Sequence, residues 1–219
     1  MKLALFDLDY TLLEGDSDVA WAQFLIEEGV LHPEEYNAKN LWFAERYKDG
    51  TLDIHEFLDF QLAPLAQHPR AKLDQWHSGF MQRKIRPIIR SRAVELLASH
   101  ADALRAIVTA TNRFITRPIA DELGIEHLIA TEIEEQGGNF TGKPCGTPCF
   151  REGKIERVTE WLAARGRRLA DYESWFYSDS LNDVPLLEKV DHPVAVDPDP
   201  TLAAHASERG WSIISLKGA

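Results

Sequence analysis

Predicted strands and helices alternate along the chain after Pro87, and this alternation limits the fold more than any other feature of the sequence. Alternation with short connections is typical of a parallel sheet with helices on both faces. An apolar run, Leu3–Phe6, adds a buried strand near the first residue. The sequence therefore predicts a doubly wound α/β fold. The elements predicted after Pro87 are helix Ser91–His100, strand Leu104–Val108, helix Thr116–Leu123, strand Leu128–Thr131, a hairpin-like segment Glu135–Gly142, helix Lys154–Ala164, strand Ser174–Tyr177, helix Pro185–Lys189, strand Val194–Val196, helix Thr201–Arg209 and strand Trp211–Ile214.

The segment between the first predicted strand and residue 87 has a different pattern. Apolar residues recur there at helical spacing, and Asp49-Gly50 and His68-Pro69 interrupt the pattern. The predicted helices are Glu34–Tyr47, Asp53–Leu65 and Ala71–Met81, after a first helix that carries Trp21, Phe24 and Leu25. We therefore expect residues 16–86 to form an all-helical insert, and residues 1–15 with 87–219 to form the sheet domain. Gly15 and Lys84–Pro87 are the expected hinges between them.

Charge and composition exclude several classes of protein. The chain has 35 acidic and 24 basic residues, a formal net charge of −11, and a pI near 5.2. This balance argues against a nucleic acid or an anionic membrane as partner. No apolar run is long enough to span a bilayer, and Asp7 comes too early for a signal peptide. We expect a cytoplasmic protein, in which Cys145 and Cys149 are reduced loop thiols.

Polar residues follow three of the predicted strands. In a doubly wound sheet, ligands bind beyond the carboxyl ends of the strands. Any one of these residues alone is more typical of a turn or a helix N-cap. Four carboxylates at one edge repel one another unless a cation offsets their charge, and Mg²⁺ suits oxygen ligands of this kind. The residues are Asp7 and Asp9 after the first strand, Thr109, Thr111 and Asn112 after the second, Ser178, Asp179, Asn182 and Asp183 after the fourth, and Lys154 on the helix before that strand.

These residues resemble the motifs of the haloacid dehalogenase superfamily. Asp7-Leu8-Asp9-Tyr10-Thr11 matches its first motif, Asp-x-Asp-x-Thr, and Ser178–Asp183 resembles its fourth. Thr109 and Lys154 stand where the second and third motifs stand. The resemblance covers nearly the whole chain, and the helical insert is similar to the small cap domain of the phosphoserine-phosphatase-like branch.

The resemblance implies a Mg²⁺-dependent phosphatase that acts on a small-molecule phosphate ester. It assigns a phosphoaspartate to Asp7, which would attack phosphorus, and a general acid and base role to Asp9. Thr109 and Lys154 would hold the phosphoryl oxygens. The implied Mg²⁺ ligands are the Asp7 carboxylate, the Asp9 main-chain carbonyl and Asp179, with Asp183 and Asn182 close by.

The insert favours a particular leaving group. Phosphoserine phosphatases carry a glutamate where this chain has Asp16, and a carboxylate-binding arginine at a place that falls on Gln61, counted from the matching Gly50-Thr51-Leu52. A site that keeps an anion but has no such cation favours an amino-bearing phosphate without a carboxylate, such as histidinol phosphate. Thr111, Asn112 and Arg113 are the other expected substrate contacts.

Other functions remain open at this point. A phosphoserine phosphatase or a phosphotransferase would use the same motifs, and a non-catalytic protein on this scaffold would bind phosphate ligands without turnover. A signalling receiver domain is about half this length and lacks the insert. A homodimer is also left open by the sequence.

Overall fold

A seven-stranded sheet forms the centre of the computed structural model, which describes residues 1–218. The strand order is β4-β3-β2-β1-β5-β6-β7, and every neighbouring pair is parallel except β3 and β4. The predicted α/β fold is therefore confirmed. The strands are β1 (Lys2–Phe6), β2 (Leu104–Asn112), β3 (His127–Gln136), β4 (Asn139–Cys145), β5 (Glu173–Ser178), β6 (His192–Val196) and β7 (Ser212–Ile214).

Helices occupy both the segment after β1 and the connections between the later strands. Within the described chain, residues 17–88 contain helices and no strand. The division into two domains at residues 16 and 86 stays a prediction. The helices are α1 (Ser17–Glu27), α2 (Pro33–Asp49), α3 (Ile54–Ala66), α4 (Arg70–Phe80), α5 (Ser91–Ser99), α6 (Arg113–Glu122), α7 (Glu152–Ala163), α8 (Val184–Leu187) and α9 (Pro200–Arg209).

Local chemistry sets the helix ends inside the insert. Asp53 precedes α3, and its carboxylate accepts hydrogen bonds from the backbone amides of His55 and Glu56 at 2.9 and 3.2 Å. Gly50 ends α2 with φ of 76°, a backbone conformation that glycine adopts without steric cost. These two signals produce the predicted break between α2 and α3.

Strand β2 is longer than the sequence predicts. We expected it to end at Val108, but it continues to Asn112 with a shift in register against β3 after Val108. The side chain of Asn112 then accepts a hydrogen bond from the amide of Ile115 and caps α6, which starts at Arg113 instead of Thr116. The predicted hairpin is the antiparallel pair β3 and β4, joined at Gly137-Gly138.

The insert is connected to the sheet by two adjacent chain segments. Leu13 and Ile89 form a bridge, and the Glu14 amide donates to the Ile88 carbonyl at 2.8 Å. The expected hinges, Gly15 and Lys84–Pro87, lie beside this bridge. Both segments enter the insert at the same end of β1, so the insert lies close to the residues that follow β1.

Aromatic packing joins the insert to the sheet. Trp21 packs against Phe80 of α4 at 5.0 Å between ring centroids and against Phe114 of α6 at 5.6 Å. Phe114 in turn contacts Phe140 of β4 at 5.1 Å. These residues belong to one buried apolar cluster, so the insert and the sheet share a core. In the described part of the chain, no helix is long and apolar enough to cross a membrane.

Candidate active site

A cavity lies at the carboxyl edge of the sheet, beneath the insert. Both the sheet and the insert contribute to its wall, and acidic groups dominate the sheet side. The acids on the wall are Asp7, Asp9, Asp16, Asp18 and Asp179, with Lys154, Thr109 and Thr111 beside them. Besides Asp16, Asp18 and Lys48, the insert contributes apolar and neutral polar groups, among them Asn40, Phe43, Tyr47, Phe57 and Gln61. The structure therefore brings Asp7, Asp9 and Asp179, three of the four carboxylates expected at this edge, to one cavity.

Lys154 lies at the centre of the acidic side. Lys154, on the first turn of α7, is 2% exposed, and its Nζ lies 2.8 Å from an oxygen of Asp7 and 2.8 Å from one of Asp183. Burial lowers the pKa of this amine, but the charges of Asp183 and Asp7 outweigh burial and hold the pKa well above its usual value. Lys154 is therefore an ammonium that offsets part of the negative charge. The Ser178 hydroxyl donates to Asp183 at 2.7 Å and fixes that carboxylate.

Thr11 brings Asp7 and Asp179 together. Its hydroxyl lies 3.3 Å from Asp7 Oδ2 and 3.1 Å from Asp179 Oδ1, and it accepts a hydrogen bond from the Asp179 amide at 3.1 Å. The two carboxylates therefore face the same small volume. Thr11 was not among the predicted site residues, although it is the last residue of the first motif, Asp-x-Asp-x-Thr.

The Asp9 side chain turns toward the insert instead. It accepts hydrogen bonds from the Ser17 amide at 2.7 Å and from the Thr111 hydroxyl at 2.9 Å. The same hydroxyl lies 3.0 Å from Asp18, which is 4% exposed and whose other oxygen has no partner in the described chain. One hydroxyl proton serves one acceptor, so both contacts are hydrogen bonds only when one of the two carboxyls carries a proton.

Asp18 also lines the cavity, although the sequence did not single it out. Burial, and then the charges of Asp16 and Asp9, raise the pKa of Asp18 well above its usual value. Its signal was its spacing, since Asp16 and Asp18 flank the start of α1, the helix that begins immediately after the loop of the first motif. Asp16 lines the cavity as expected, and it also caps α1 by accepting from the Val19 amide at 2.9 Å.

Negative charge in the cavity exceeds the positive charge that offsets it. Burial raises the pKa of Asp7 to about 7, against the lowering effect of Lys154, and burial with the charge of Asp16 raises the pKa of Asp9 to about 7. Burial and the charges of Asp7 and Asp183 also raise the pKa of Asp179. Among residues 1–218, no three His, Cys, Asp or Glu side chains are grouped as metal ligands. Asp7 and Asp179, which share the Thr11 hydroxyl, are a facing pair of carboxylates.

A buried arginine fixes the loop that carries the first motif. Arg90 is 5% exposed and donates hydrogen bonds to the carbonyls of Tyr10 at 2.9 Å and Leu13 at 3.1 Å. It also forms an ion pair with Asp197, after β6. The position of this loop is therefore held from the sheet side.

Three predicted site residues do not join the acidic cluster. Arg113 donates to both oxygens of Glu132 at 2.7 to 2.9 Å and to the Leu128 carbonyl, outside the cavity, which corrects the expected phosphate contact. Asn112 caps α6 instead of facing the cavity. Arg113 and Asn112 lie away from the cavity for the same reason, which is that β2 continues past the sheet edge to Asn112. Asn182 donates to the Tyr47 carbonyl at 3.0 Å and so contacts the insert.

Thr109 does line the cavity. It is 1% exposed, and its hydroxyl oxygen accepts from the Thr111 amide at 3.2 Å. The hydroxyl proton of Thr109 remains available to a ligand at the end of β1, beside Asp7. The predicted pair of Thr109 and Lys154 is therefore brought to the same cavity as Asp7.

Known proteins that are similar to this chain point to one family. Residues 4–188 match the family model of haloacid dehalogenase-like hydrolases. A histidinol-phosphatase of Neisseria meningitidis serogroup C is 44% identical over 220 residues, covering 99% of each chain. A protein of unknown function from Bordetella pertussis Tohama I has a TM-score of 0.93 at 49% identity, with 99% of each chain covered.

A more distant structure has the same fold. A substrate-bound phosphoserine phosphatase has a TM-score of 0.68 at 21% identity, covering 99% of this chain and 93% of its own. At that identity the likeness concerns the fold alone. The family match and the full-length relative confirm the resemblance drawn from the motifs: this chain belongs to the haloacid dehalogenase-like hydrolases.

Proposed function

We propose that this chain is a Mg²⁺-dependent phosphomonoester phosphatase that works through a phosphoaspartate on Asp7. The observation that carries the proposal is the position of Asp7, buried at the carboxyl edge of the sheet, 2.8 Å from the Lys154 ammonium and facing the same volume as Asp179. The histidinol-phosphatase relative supports a phosphate ester as substrate.

Asp7 suits the role of nucleophile. In its carboxylate form, which the Lys154 charge favours, Asp7 attacks phosphorus directly, forming a new O–P bond while the bond from phosphorus to the leaving oxygen breaks. Lys154 attracts the phosphoryl oxygens as negative charge shifts, and the Thr109 hydroxyl donates a hydrogen bond to one of them. In an acidic protein these two donors offset the repulsion between Asp7 and a phosphate anion.

Asp9 suits the role of proton donor and acceptor. The protonated carboxyl gives its proton to the leaving oxygen, and the resulting carboxylate later takes a proton from the water that attacks the phosphoaspartate. A pKa of about 7 leaves both forms populated near neutral pH. The Ser17 amide and the Thr111 hydroxyl hold the side chain in place for both steps.

The donor set at the sheet edge fits Mg²⁺. Asp7 and Asp179 face one another with excess negative charge, and Mg²⁺ binds through one or two carboxylates with water in its remaining positions. The Asp9 main-chain carbonyl is the third proposed ligand. When bound, the ion supplies positive charge that draws the phosphate into the cavity. Lys154 and Asp183 remain paired beside it and keep the Asp7 carboxylate oriented.

We propose histidinol phosphate as the substrate. Asp16 and Asp18 supply carboxyl oxygens that accept hydrogen bonds from the substrate ammonium, and the buried polar groups at the insert end, Asn40 and Gln61, are neutral. Phosphoserine is the second candidate, since the exposed Lys48 also lines the cavity and would pair with a substrate carboxylate.

Phosphate release from matched substrates tests the proposal. The assay compares histidinol phosphate, phosphoserine and p-nitrophenyl phosphate with Mg²⁺ and with EDTA, and it includes Asp7→Asn. We expect turnover that requires Mg²⁺, the highest kcat/KM for histidinol phosphate, and no turnover by Asp7→Asn. Binding of the phosphates without release would favour a non-catalytic binding protein, and a higher kcat/KM for phosphoserine would reverse the order of the two substrates.

A further inference from the structure

Two buried amides face each other inside the insert. Asn40 on α2 is 8% exposed and Gln61 on α3 is 6% exposed, and both line the cavity that contains Asp7. Gln61 Nε2 donates to Asn40 Oδ1 at 3.2 Å. Asn40 Nδ2 is buried and has no hydrogen-bond partner in the described chain. Buried polar groups are almost always paired, so this amide calls for a partner that the protein itself does not supply.

The pair leaves one donor and one acceptor free in either amide orientation. Its internal hydrogen bond uses one amide nitrogen and one amide oxygen. If both amides are turned over, the roles of Asn40 and Gln61 exchange, but one NH₂ group and one carbonyl oxygen again remain. The pair therefore offers a ligand both a hydrogen-bond donor and an acceptor, and it carries no charge.

Aromatic rings form the wall near these amides. Phe43, one turn after Asn40 on α2, and Phe57, one turn before Gln61 on α3, line the same cavity. Their centroids lie 5.3 Å apart with the rings nearly perpendicular, at 78°. Such a wall favours a flat apolar group, while a charged group would lose its hydration there without a counter-ion.

A neutral nitrogen heteroaromatic ring matches this chemistry. It has a flat face for Phe43 and Phe57, an N–H for the free amide oxygen and a bare ring nitrogen for the free amide NH₂. A phenyl ring matches the wall but leaves the amides unpaired. An aliphatic carboxylate matches neither the wall nor the neutral pair.

We propose that Asn40 and Gln61 are specificity-determining residues that bind the nitrogen-bearing ring of the leaving group, at the end of the cavity formed by the insert. The inference rests on the proposed function and deepens it, because it assigns the recognition of the ring to two named side chains. Asp7, Lys154 and Thr109 act on the phosphate in the same way for any ring.

The test compares two substrates that differ only in the ring: histidinol phosphate, which has an imidazole with two nitrogens, and phenylalaninol phosphate, which has a slightly larger phenyl ring without nitrogen. For the wild-type enzyme we expect kcat/KM to be about 10- to 100-fold higher for histidinol phosphate, since a site with buried polar groups rejects an analogue that leaves them unpaired. In Asn40→Leu/Gln61→Met we expect this ratio to fall to within about threefold of one, since no buried amide then distinguishes the rings.

The double variant is chosen to preserve the fold. Removing one amide would leave the other buried without its partner, whereas replacing both with apolar groups of similar size removes the pair together. The matched control is Gln23→Met/Asn37→Leu. Gln23 and Asn37 form an amide pair between α1 and α2 on the exposed side of the insert, with nitrogen and oxygen 2.6 Å apart. We expect the control to keep the wild-type ratio.

The outcomes separate the inference from the proposed function. A wild-type preference for histidinol phosphate that persists in Asn40→Leu/Gln61→Met would overturn the inference and leave the proposed substrate standing. Equal losses of kcat/KM on both substrates in this variant would overturn the inference as well, because they indicate that Asn40 and Gln61 have a structural role. A wild-type enzyme that hydrolyses p-nitrophenyl phosphate but not histidinol phosphate would overturn the proposed substrate and the inference with it.

Discussion

Replacing Lys154 with methionine would expose the electrostatic cost of gathering carboxylates in one cavity. Methionine keeps most of the apolar length of lysine but removes the ammonium. Lys154 is 2% exposed, and its two partners, Asp7 and Asp183, are also buried. The change would therefore leave two buried carboxylates without their shared cation.

The expected loss of stability follows from that burial. Breaking a buried ion pair by removing one partner costs about 3 to 5 kcal/mol, because the remaining charge is neither paired nor hydrated. Proton uptake limits this loss of stability, because a carboxyl group becomes neutral when it binds a proton. Binding that proton costs about 1.4 kcal/mol for each unit by which the pH exceeds the pKa of the group. We therefore expect Lys154→Met to lower the free energy of unfolding by about 3 kcal/mol or more at pH 8.

The loss of stability in Lys154→Met should decrease as the pH falls. Without the ammonium, the pKa of Asp7 rises beyond the value of about 7 that it has in the wild-type fold. The folded variant then binds more protons than its unfolded chain below that pKa, so its stability increases as the pH falls. The difference between the wild-type protein and the variant should be smaller at pH 6 than at pH 8.

Urea denaturation in the presence of EDTA measures this effect without requiring activity. The matched control is Lys143→Met, because Lys143 pairs with Asp59 at 2.6 Å where both side chains are more than half exposed. An exposed pair contributes only about 0 to 1 kcal/mol. Equal losses of stability for Lys154→Met and Lys143→Met, or a loss that does not change between pH 6 and pH 8, would contradict this prediction.

The remaining predictions concern the cation and the thiols. Asp179→Asn should raise the Mg²⁺ concentration needed for half-maximal activity by about tenfold or more, because it removes one of two facing carboxylates; an unchanged Mg²⁺ titration would contradict that assignment. Iodoacetamide should alkylate Cys145, which is exposed, and spare Cys149, which is buried and whose thiol pKa burial raises to about 12. Mass spectrometry of the folded protein decides this, and rapid labelling of Cys149 would contradict the burial.

Much of the site could be predicted because its acids occupy fixed places in the chain. Asp7 and Asp179 follow parallel strands at the same sheet edge, so their convergence depends only on the alternation of strands and helices. Lys154 begins a helix between β4 and β5, and the fold brings it to the same edge. None of these placements depends on how the insert packs.

The rest of the site could not be predicted because it depends on tertiary packing. Asp18 reaches Thr111 only when α1 packs beside β2, and Asn40 meets Gln61 only when α2 and α3 lie side by side. The expected role of Arg113 failed because a shift of register lets β2 continue past Val108. Alternating apolar residues do not reveal such a shift.

The most direct test of the account is to identify the residue that accepts the phosphoryl group. The enzyme is mixed with histidinol phosphate labelled with radioactive phosphorus, quenched in acid during turnover and digested for peptide mapping. We expect label on the peptide that contains Asp7, released by hydroxylamine as expected of an acyl phosphate, and no label in Asp7→Asn. Steady turnover with no labelled peptide, or with label on another residue, would contradict it.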